Sequence, residues 1–129
     1  MPVASAHMSR DLLTVAPDET LTAVAKRMVE RDVGAVLVME GESLAGILTE
    51  RDVLRAVAAG ITDDTLVSDH MTRDPETMSP DDTTQHAAVL MIHGGFRHLP
   101  LMEGTTPVGM LSIRDLMRVV LEDSVPRGV

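Results

Sequence analysis

Two short segments of this sequence combine a glycine, a hydroxyl and a carboxylate at the same spacing. Their members are Gly46, Thr49 and Asp52 in the first segment and Gly109, Ser112 and Asp115 in the second. A hydroxyl at a helix N-cap, with an acid three residues later, places backbone amides, one hydroxyl and one carboxylate at the same helix end. Such an end can hold a phosphate on its amides and hydroxyl while the acid accepts hydrogen bonds from a sugar diol. Arg51 and Arg114 add positive charge beside the two acids.

The same pattern also has a purely structural explanation. Thr/Ser-x-x-Asp is a close relative of the capping box, in which the acid reaches back to the amide of the N-cap residue. In each copy, the motif begins with a glycine that ends a predicted buried strand. Because glycine has no Cβ, a ligand could come close to the backbone there, and this favours the ligand-binding interpretation. Spacing alone leaves capping and ligand binding equally open.

The two segments belong to a duplication that covers most of the chain. Residues 5–55 align with residues 68–118 at a constant offset of 63, and nineteen of the 51 aligned pairs are identical. Ordinary composition would give roughly three identities in such a window. A unit of about 60 residues buries too little surface to be comfortably stable alone, so we expect the two halves to share one core.

In each half, the residue pattern predicts the order strand, helix, strand, strand, helix. Extended pieces at Leu12–Ala16 and Glu76–Ser79 open the halves, and the Pro-Asp pairs that follow them predict helix starts at Asp18 and Asp81. Apolar residues at helical spacing predict amphipathic first helices, with Val29 and Ile92 among the residues facing inward.

A β-prone run, a tight loop and a second run then predict a hairpin buried on both faces in each half. Pro100 cannot donate to a strand ladder and indicates an edge or a bulge. Thr49 and Ser112 are predicted to start the second helices. Their inward residues are predicted to be Val53, Leu54, Val57 and Ala58 in the first half and Leu116, Met117, Val120 and Leu121 in the second.

Composition argues against several classes of function. The 129-residue chain has a formal charge of −9 and one aromatic residue, Phe96, so little attracts nucleic acid or stacks on bases. The lack of cysteine excludes disulfides, thiolate metal sites and thiol nucleophiles. His86 and His93 lie too far apart for a helical metal pair, and no nucleophile–base pair is visible. We therefore predict no enzyme, no metal and no catalytic cofactor.

The chain also shows no sign of a membrane partner. No apolar run approaches the ~18–20 residues that a membrane span needs. Together with the lack of cysteine, this predicts a cytoplasmic protein.

Several motifs in combination resemble a known family. Besides the two Gly-x-x-Thr/Ser-x-x-Asp segments, they are the opening at Met71–Asp81 and the strands Val33–Val38 and Arg97–Leu101. Over about residues 5–121, the chain resembles a tandem pair of CBS domains, a Bateman module. The resemblance implies an α/β (α+β) fold of two β-α-β-β-α repeats, related by a pseudo-twofold and packed through their sheets. Repeat 1 would span residues 5–59, a linker 60–69 and repeat 2 residues 70–123.

The resemblance also implies a stand-alone regulatory module that binds adenine nucleotides such as AMP, ADP or ATP. In that family the motif aspartate holds the ribose hydroxyls, the motif hydroxyl lies near the phosphate, and the adenine lies against the opening and second strands. The residues that the resemblance assigns to nucleotide binding are Thr14, Val33, Gly34, Ala35, Thr49, Arg51, Asp52, Thr77, Met78, Arg97, His98, Pro100, Ser112, Arg114 and Asp115. Which opening strand serves which site is left open.

The two halves differ where a phosphate would bind. The second half carries Arg97 and His98 at the positions of Gly34 and Ala35 in the first. Electrostatics and the resemblance both favour Arg97 and His98 as phosphate contacts, and a protonated His98 is the better partner. The alternative is that both are strand residues facing solvent. We therefore predict two clefts of unequal affinity.

The sequence thus predicts a sensor whose nucleotide occupancy changes its conformation or its association with a regulated protein. Apolar residues near the ends of the outer helices, such as Val120 and Leu121, predict a homodimer. The alternative is a structural or adaptor protein, in which the motifs serve only as helix caps and the apolar faces dock a partner. The regulated protein and the choice among adenosine ligands are left open.

Overall fold

The computed structural model describes residues 2–124, which form two compact units. The central unit is Leu12–Pro75, and the split unit joins Met1–Asp11 to Glu76–Val129. The units therefore do not coincide with the sequence repeats, because the first residues of the chain pack with the second hairpin.

The central unit contains a four-stranded sheet and two helices. Its elements in chain order are β1 (Thr14–Val15), α1 (Leu21–Arg31), β2 (Ala35–Glu40), β3 (Ser43–Thr49), α2 (Glu50–Ala59) and β4 (Thr72–Arg73). The strand order is β1-β2-β3-β4, with β1 parallel to β2 and the other pairs antiparallel.

The split unit repeats this plan with shorter edges. Its elements are α3 (Thr84–Gly94), β5 (His98–Glu103), β6 (Thr106–Ser112) and α4 (Ile113–Ser124), preceded by a 3-10 turn at Ala4–Ala6. Met78 forms a parallel bridge to Leu101 of β5, and Ser9 forms an antiparallel bridge to Met110 of β6. In both units, the hairpin lies between the opening segment of its own repeat and a segment from the other repeat. The predicted order of strands and helices is confirmed, except that the opening segment of the second half forms only the bridge at Met78 and that β4 was not predicted.

The predicted helix starts at Asp18 and Asp81 were wrong. The N-caps are Thr20 and Thr83, whose hydroxyls accept hydrogen bonds from the amides of the third helical residues. Asp18 and Asp81 lie in turns, two residues before Thr20 and Thr83. They are therefore too early in the chain to act as N-caps of these helices. Asp82 accepts a hydrogen bond from His86, with 2.7 Å between Oδ2 and Nδ1, and this bond and the Thr83 amide hold the pKa of Asp82 below its ordinary value.

Each unit packs its helices on one face of its hairpin around its own apolar core, so the expectation of one core shared by the two halves was wrong. In the central unit the core includes Leu21, Val24, Met28, Val36, Val38, Leu48 and Ala56. In the split unit it includes Ala4, Ala87, Met91, Leu99, Leu101, Leu111 and Leu116. Leu37, on the opposite face of β2, is also fully buried. The prediction of hairpins buried on both faces is confirmed.

The helices turn fewer apolar residues inward than predicted. In the second helices, Ala56, Leu116 and Val119 are buried. The residues that were predicted to face inward but are exposed are Val29, Leu54, Val57, Ala58, Ile92, Met117, Val120 and Leu121. Each sheet covers only a narrow stripe of its helix, whereas the apolar residues occupy a wider arc.

The bulge expected near Pro100 is present, but the proline does not cause it. The register of β5 shifts between Leu101 and Met102, and β2 shifts at the equivalent position without a proline. Pro100 pairs with Met110, whose amide and carbonyl bond to Ser9 instead of β5. No hydrogen bond to β6 is therefore lost at Pro100, but Pro100 cannot make the bond that the amide of the equivalent Leu37 donates to the carbonyl of Leu13.

Gly46 and Gly109 lie within β3 and β6, not at the strand ends where the sequence placed them. A Cβ at Gly46 would lie 2.6 Å from the carbonyl oxygen of Thr72 and 3.0 Å from the sulfur of Met71. A Cβ at Gly109 would overlap the side chain of Met8. The close approach that both glycines permit is thus made by the segment that crosses from the other repeat.

We predict that Gly46→Ala destabilises the protein more than Gly109→Ala does. At Gly46 the new methyl group meets backbone, so we expect the free energy of unfolding to fall by about 1–3 kcal/mol. At Gly109 it meets a flexible thioether, which can move aside. Urea unfolding followed by circular dichroism measures both losses, and equal losses would contradict the packing described at these two positions.

Candidate functional site

The starts of α2 and α4 are both closed by complete reciprocal caps. The Thr49 hydroxyl accepts from the amide of Asp52 at 3.2 Å, and Oδ2 of Asp52 accepts from the amide of Thr49 at 2.9 Å. Ser112 and Asp115 make the same two bonds at 3.2 and 2.8 Å, and the Ser112 hydroxyl also donates to Oδ2 of Asp115 at 3.0 Å. The capping interpretation therefore describes a real interaction in both halves.

The caps use only one oxygen of each carboxylate. The second oxygen, Oδ1, lies 4.0 Å from Arg55 in Asp52 and 3.5 Å from Arg118 in Asp115. Both arginines are largely exposed. Capping and ligand binding can thus involve different oxygens of the same carboxylate, so one does not exclude the other.

Each helix start also presents amides of its first turn. The amide of Glu50 donates to the carbonyl of Gly34 at 2.9 Å, and the amide of Ile113 donates to the carbonyl of Arg97 at 2.9 Å. The next amides along the helices, those of Arg51 and Arg114, belong to the first turn, whose amides have no acceptor within the helix. A first-turn amide and an exposed arginine, at the positive end of a helix, favour an anion.

In the central unit, the structure brings the sequence-predicted residues to one end of the sheet. Ala35 pairs with Thr49, and Thr14 of β1 pairs with Leu37 of β2. The members of this group are Thr14, Val33, Gly34, Ala35, Thr49, Arg51 and Asp52. Of the buried members, only Asp52 brings a polar side chain.

The split unit assembles the equivalent group. His98 pairs with Ser112, and the Met78 amide donates to the carbonyl of Pro100 at 3.2 Å. The members of this group are Thr77, Met78, Arg97, His98, Pro100, Ser112, Arg114 and Asp115. Thr77 and Met78 thus adjoin the second strand of their own repeat, as Thr14 does.

Sequence reasoning missed Arg55 and Arg118 as partners of the two acids. Each follows its aspartate by three residues, which places both side chains on one helix face. The signal was available, because both arginines are identical between the halves.

Two other features are absent from the described part of the chain. Among residues 2–124, no group of three or more histidines and acids is placed to hold a metal ion. No helix in that range has the length and apolar character that a bilayer span requires.

We predict that Thr49→Ala and Ser112→Ala each lower the free energy of unfolding by about 1 kcal/mol, because each removes the acceptor for a helix amide. Ser43→Ala, which removes an exposed hydroxyl at the start of β3, is the control and should have little effect. Chemical denaturation measures the three variants. Losses no larger than that of Ser43→Ala would show that the caps add nothing to stability.

Comparison with known proteins identifies similar chains. A family model described as the CBS domain matches residues 3–59 and 67–122. A 17.7 kDa protein of Acidianus ambivalens is 36% identical over 110 residues, which are 84% of this chain and 66% of that relative. The chain therefore spans less than two thirds of that relative's length.

Solved structures show the same likeness. A protein with CBS domains from Burkholderia ambifaria is 33% identical, with a TM-score of 0.84 over 93% of this chain and 90% of that one. The CBS domain pair of protein MJ0100, solved with 5′-methylthioadenosine and S-adenosyl-L-methionine, has a TM-score of 0.88 at 19% identity. This match covers 96% of this chain and 99% of the MJ0100 chain. At 19% identity, the likeness shows the fold alone.

Proposed function

Because this chain belongs to the CBS-domain family and contains a tandem pair of these domains, we propose that it is a regulatory module that binds an adenosine-containing nucleotide. AMP, ADP and ATP are the first candidates. The observation that carries the proposal is the duplicated helix start, with a first-turn amide, an exposed arginine and a carboxylate oxygen outside the cap. The two adenosine-containing ligands bound by the MJ0100 pair support this ligand class.

Each part of such a nucleotide has a chemically matched group at these helix starts. A phosphate suits the first-turn amide and the guanidinium of Arg51 or Arg114, because both donate hydrogen bonds toward an anion. Ribose hydroxyls are donors, and Oδ1 of Asp52 or Asp115 is an acceptor. We expect the adenine to lie against the opening strand and the start of β2 or β5.

The split unit is the proposed stronger site for a phosphate. The Arg97 carbonyl is bonded to the first amide of α4, so the exposed Arg97 side chain starts beside the helix end. His98 pairs with Ser112, the N-cap of the same helix. In the central unit, Gly34 and Ala35 occupy these positions and supply no charge. The two sites should therefore differ most for ligands that carry phosphate.

We predict that Arg97→Ala weakens binding of AMP about tenfold and leaves binding of adenosine unchanged, because only the phosphate pairs with the guanidinium. Isothermal titration calorimetry with both ligands measures this difference. Arg27→Ala removes the same charge from α1, where Arg27 pairs with Glu19, and is the matched control. Equal loss for AMP and adenosine would indicate damage to the fold, and no loss for either would remove Arg97 from the site.

The second candidate function is an adaptor that binds no nucleotide. The complete capping boxes favour it, because capping alone explains why a hydroxyl and an acid recur at both helix starts. In that case the exposed apolar helix faces would dock a partner protein.

Asp115→Asn separates the two functions, because asparagine keeps an acceptor for the Ser112 amide but loses the charge. Under the nucleotide proposal, we predict about tenfold weaker AMP binding, with a stability loss no greater than that of Ser112→Ala. The chain has neither Trp nor Tyr, so absorbance near 260 nm would also reveal co-purified nucleotide. No nucleotide binding by the unmodified chain, with a change in stability alone, would favour the adaptor.

We further propose that the module forms a homodimer through its helices. Val29 and Ile92, at equivalent positions of the two halves, are 82% and 74% exposed. Leu54 and Met117 form a second exposed pair of the same kind. Large apolar side chains repeated on both units suit burial against another protein surface.

The remaining proposals concern role and location. The acids at the helix starts are already bonded as caps, which suits binding better than proton transfer, so we propose a regulatory role and not an enzymatic one. The protein it regulates is not identified by these residues. The cysteine-free sequence supports a cytoplasmic location.

A further inference from the structure

The outer edge of β6 in the split unit is closed by a short segment from the other repeat. Ser9 exchanges two backbone hydrogen bonds with Met110, each 2.9 Å long. The side chain of Met8, one residue earlier, lies against Gly109 and packs on the apolar core of this unit. The thioether of Met8 therefore anchors the segment to this edge by apolar contact.

The equivalent edge of the central unit is held more firmly. Met71, at the position equivalent to Met8, is 9% exposed and belongs to the core, whereas Met8 is only partly buried. The segment after Met71 pairs with β3 at two positions, whereas Ser9 forms a single isolated bridge. The carbonyl oxygen of Thr72 also packs against Gly46. The same contact thus occurs twice, and the copy at Met8 is the more accessible and the less extensively paired.

We propose that Met8 is an oxidation site, at which hydrogen peroxide forms methionine sulfoxide and thereby loosens the segment from β6. One oxygen atom passes from the peroxide to Sδ of Met8, so the sulfur loses two electrons and one molecule of water is released. The sulfoxide oxygen is a hydrogen-bond acceptor, and burying it without a donor is unfavourable. The modified side chain therefore turns toward water and leaves Gly109 and the core.

The change in polarity, and not displacement alone, is what loosens the segment. An unmodified Met8 that is pushed aside, as in Gly109→Ala, keeps its apolar surface and can pack elsewhere on the core. A sulfoxide loses this possibility because it has become polar. The two hydrogen bonds between Ser9 and Met110 then hold the edge without their apolar neighbour.

The other accessible methionines of residues 2–124 lie away from this edge. Met117 is 59% exposed on α4, and Met39 and Met102 are partly buried near the ends of β2 and β5. Oxidation at these three positions leaves the contact between Met8 and Gly109 in place. Met117 thus provides a reference for a methionine that peroxide reaches freely.

The loosened edge lies close to the helix start that we propose as the stronger nucleotide site. Two residues after Met110, β6 ends at Ser112, whose hydroxyl accepts the amide of Asp115 at the start of α4. Separation of Ser9 from β6 removes a constraint on the strand that positions Ser112. Oxidation at Met8 then lowers the affinity of this site for AMP, a consequence that rests on the proposed function.

The first experiment measures which methionines react. The folded protein is treated with hydrogen peroxide, and sulfoxide at each methionine is quantified by tandem mass spectrometry of its peptides. Met117 should react first, and Met8 should react about fivefold faster than Met71. In urea, Met8 and Met71 should react at the same rate, because unfolding exposes both. Met8 reacting no faster than Met71 in the folded protein would overturn the proposal.

The second experiment measures whether the segment loosens. After oxidation, hydrogen exchange followed by NMR should be about tenfold faster at the Met110 amide and unchanged at Ile47, which pairs with Thr72 at the equivalent position. Met8→Leu keeps an apolar side chain of similar size without the sulfur, so peroxide should no longer affect exchange at Met110. Met117→Leu removes an accessible methionine elsewhere and is the matched control, which should respond like the unmodified chain.

Enzymatic reduction provides a test that needs no variant. Treatment of the oxidised protein with methionine sulfoxide reductases should restore both the thioether of Met8 and the slow exchange of the Met110 amide. Exchange that stays fast after Met8 has been reduced would assign the effect to other damage and overturn the proposal. Equal acceleration at Met110 and Ile47 would indicate general unfolding and would overturn it as well.

Calorimetry with AMP separates this inference from the proposed function. The dissociation constant for AMP should rise about threefold on oxidation of the unmodified chain and stay constant in Met8→Leu. No AMP binding before oxidation would overturn the nucleotide function, while faster exchange at Met110 would still support Met8 as the oxidation site. Unchanged AMP affinity together with faster exchange would overturn only the link between Met8 and the site.

Discussion

The close approach of a distant segment at Gly46 and Gly109 is the constraint on which the rest of this structure depends. At each position, a segment from the other repeat lies so near the hairpin that a side chain has no room. The segment bonds to the strand edge, as Ser9 does to Met110, and so closes an edge that would otherwise expose unpaired backbone groups. It also brings Met8 or Met71 against the core of that unit. Each unit is therefore completed by residues that lie far away along the chain.

The strands of the two hairpins also fix the positions of the helix starts, where we propose that the ligand binds. Thr49 is held opposite Ala35 and Ser112 opposite His98 by strand register, and α2 and α4 begin at the next residue. The caps then hold Asp52 and Asp115 in one orientation before any ligand arrives. A carboxylate that is already ordered loses less conformational freedom on binding, which is how a structural cap can serve recognition. Under the proposed function, stability and ligand affinity would thus be coupled through one side chain.

The duplication retains this framework in both halves but not the surface around it. The glycine, the cap and the arginine three residues after each acid recur in both halves. Charge has diverged at other positions, with Gly34 matched by Arg97 and Lys26 by Val89. Under the proposed function, the first difference distinguishes the two nucleotide sites, and the second distinguishes the two helix faces. A single framework therefore carries different charges in its two copies.

The sequence by itself determined the features that depend on neighbours a few residues apart. The repeat, the order of elements, the hairpins and the caps at Thr49 and Ser112 follow from periodicity and from contacts within one helical turn. The residues that the sequence selected as site candidates do lie near the two helix starts, although Arg55 and Arg118 were missed, and their role in binding stays a prediction.

Only the tertiary structure decided what depends on residues distant along the chain. It showed that the exposed Val29 and Leu54 lie outside the stripe that the sheet covers. It also showed that Gly46 makes room for Thr72, and Gly109 for Met8, where the sequence had suggested room for a ligand. No local pattern records which segment will pack against a given strand, because that choice is made by contacts formed only when the whole chain has folded.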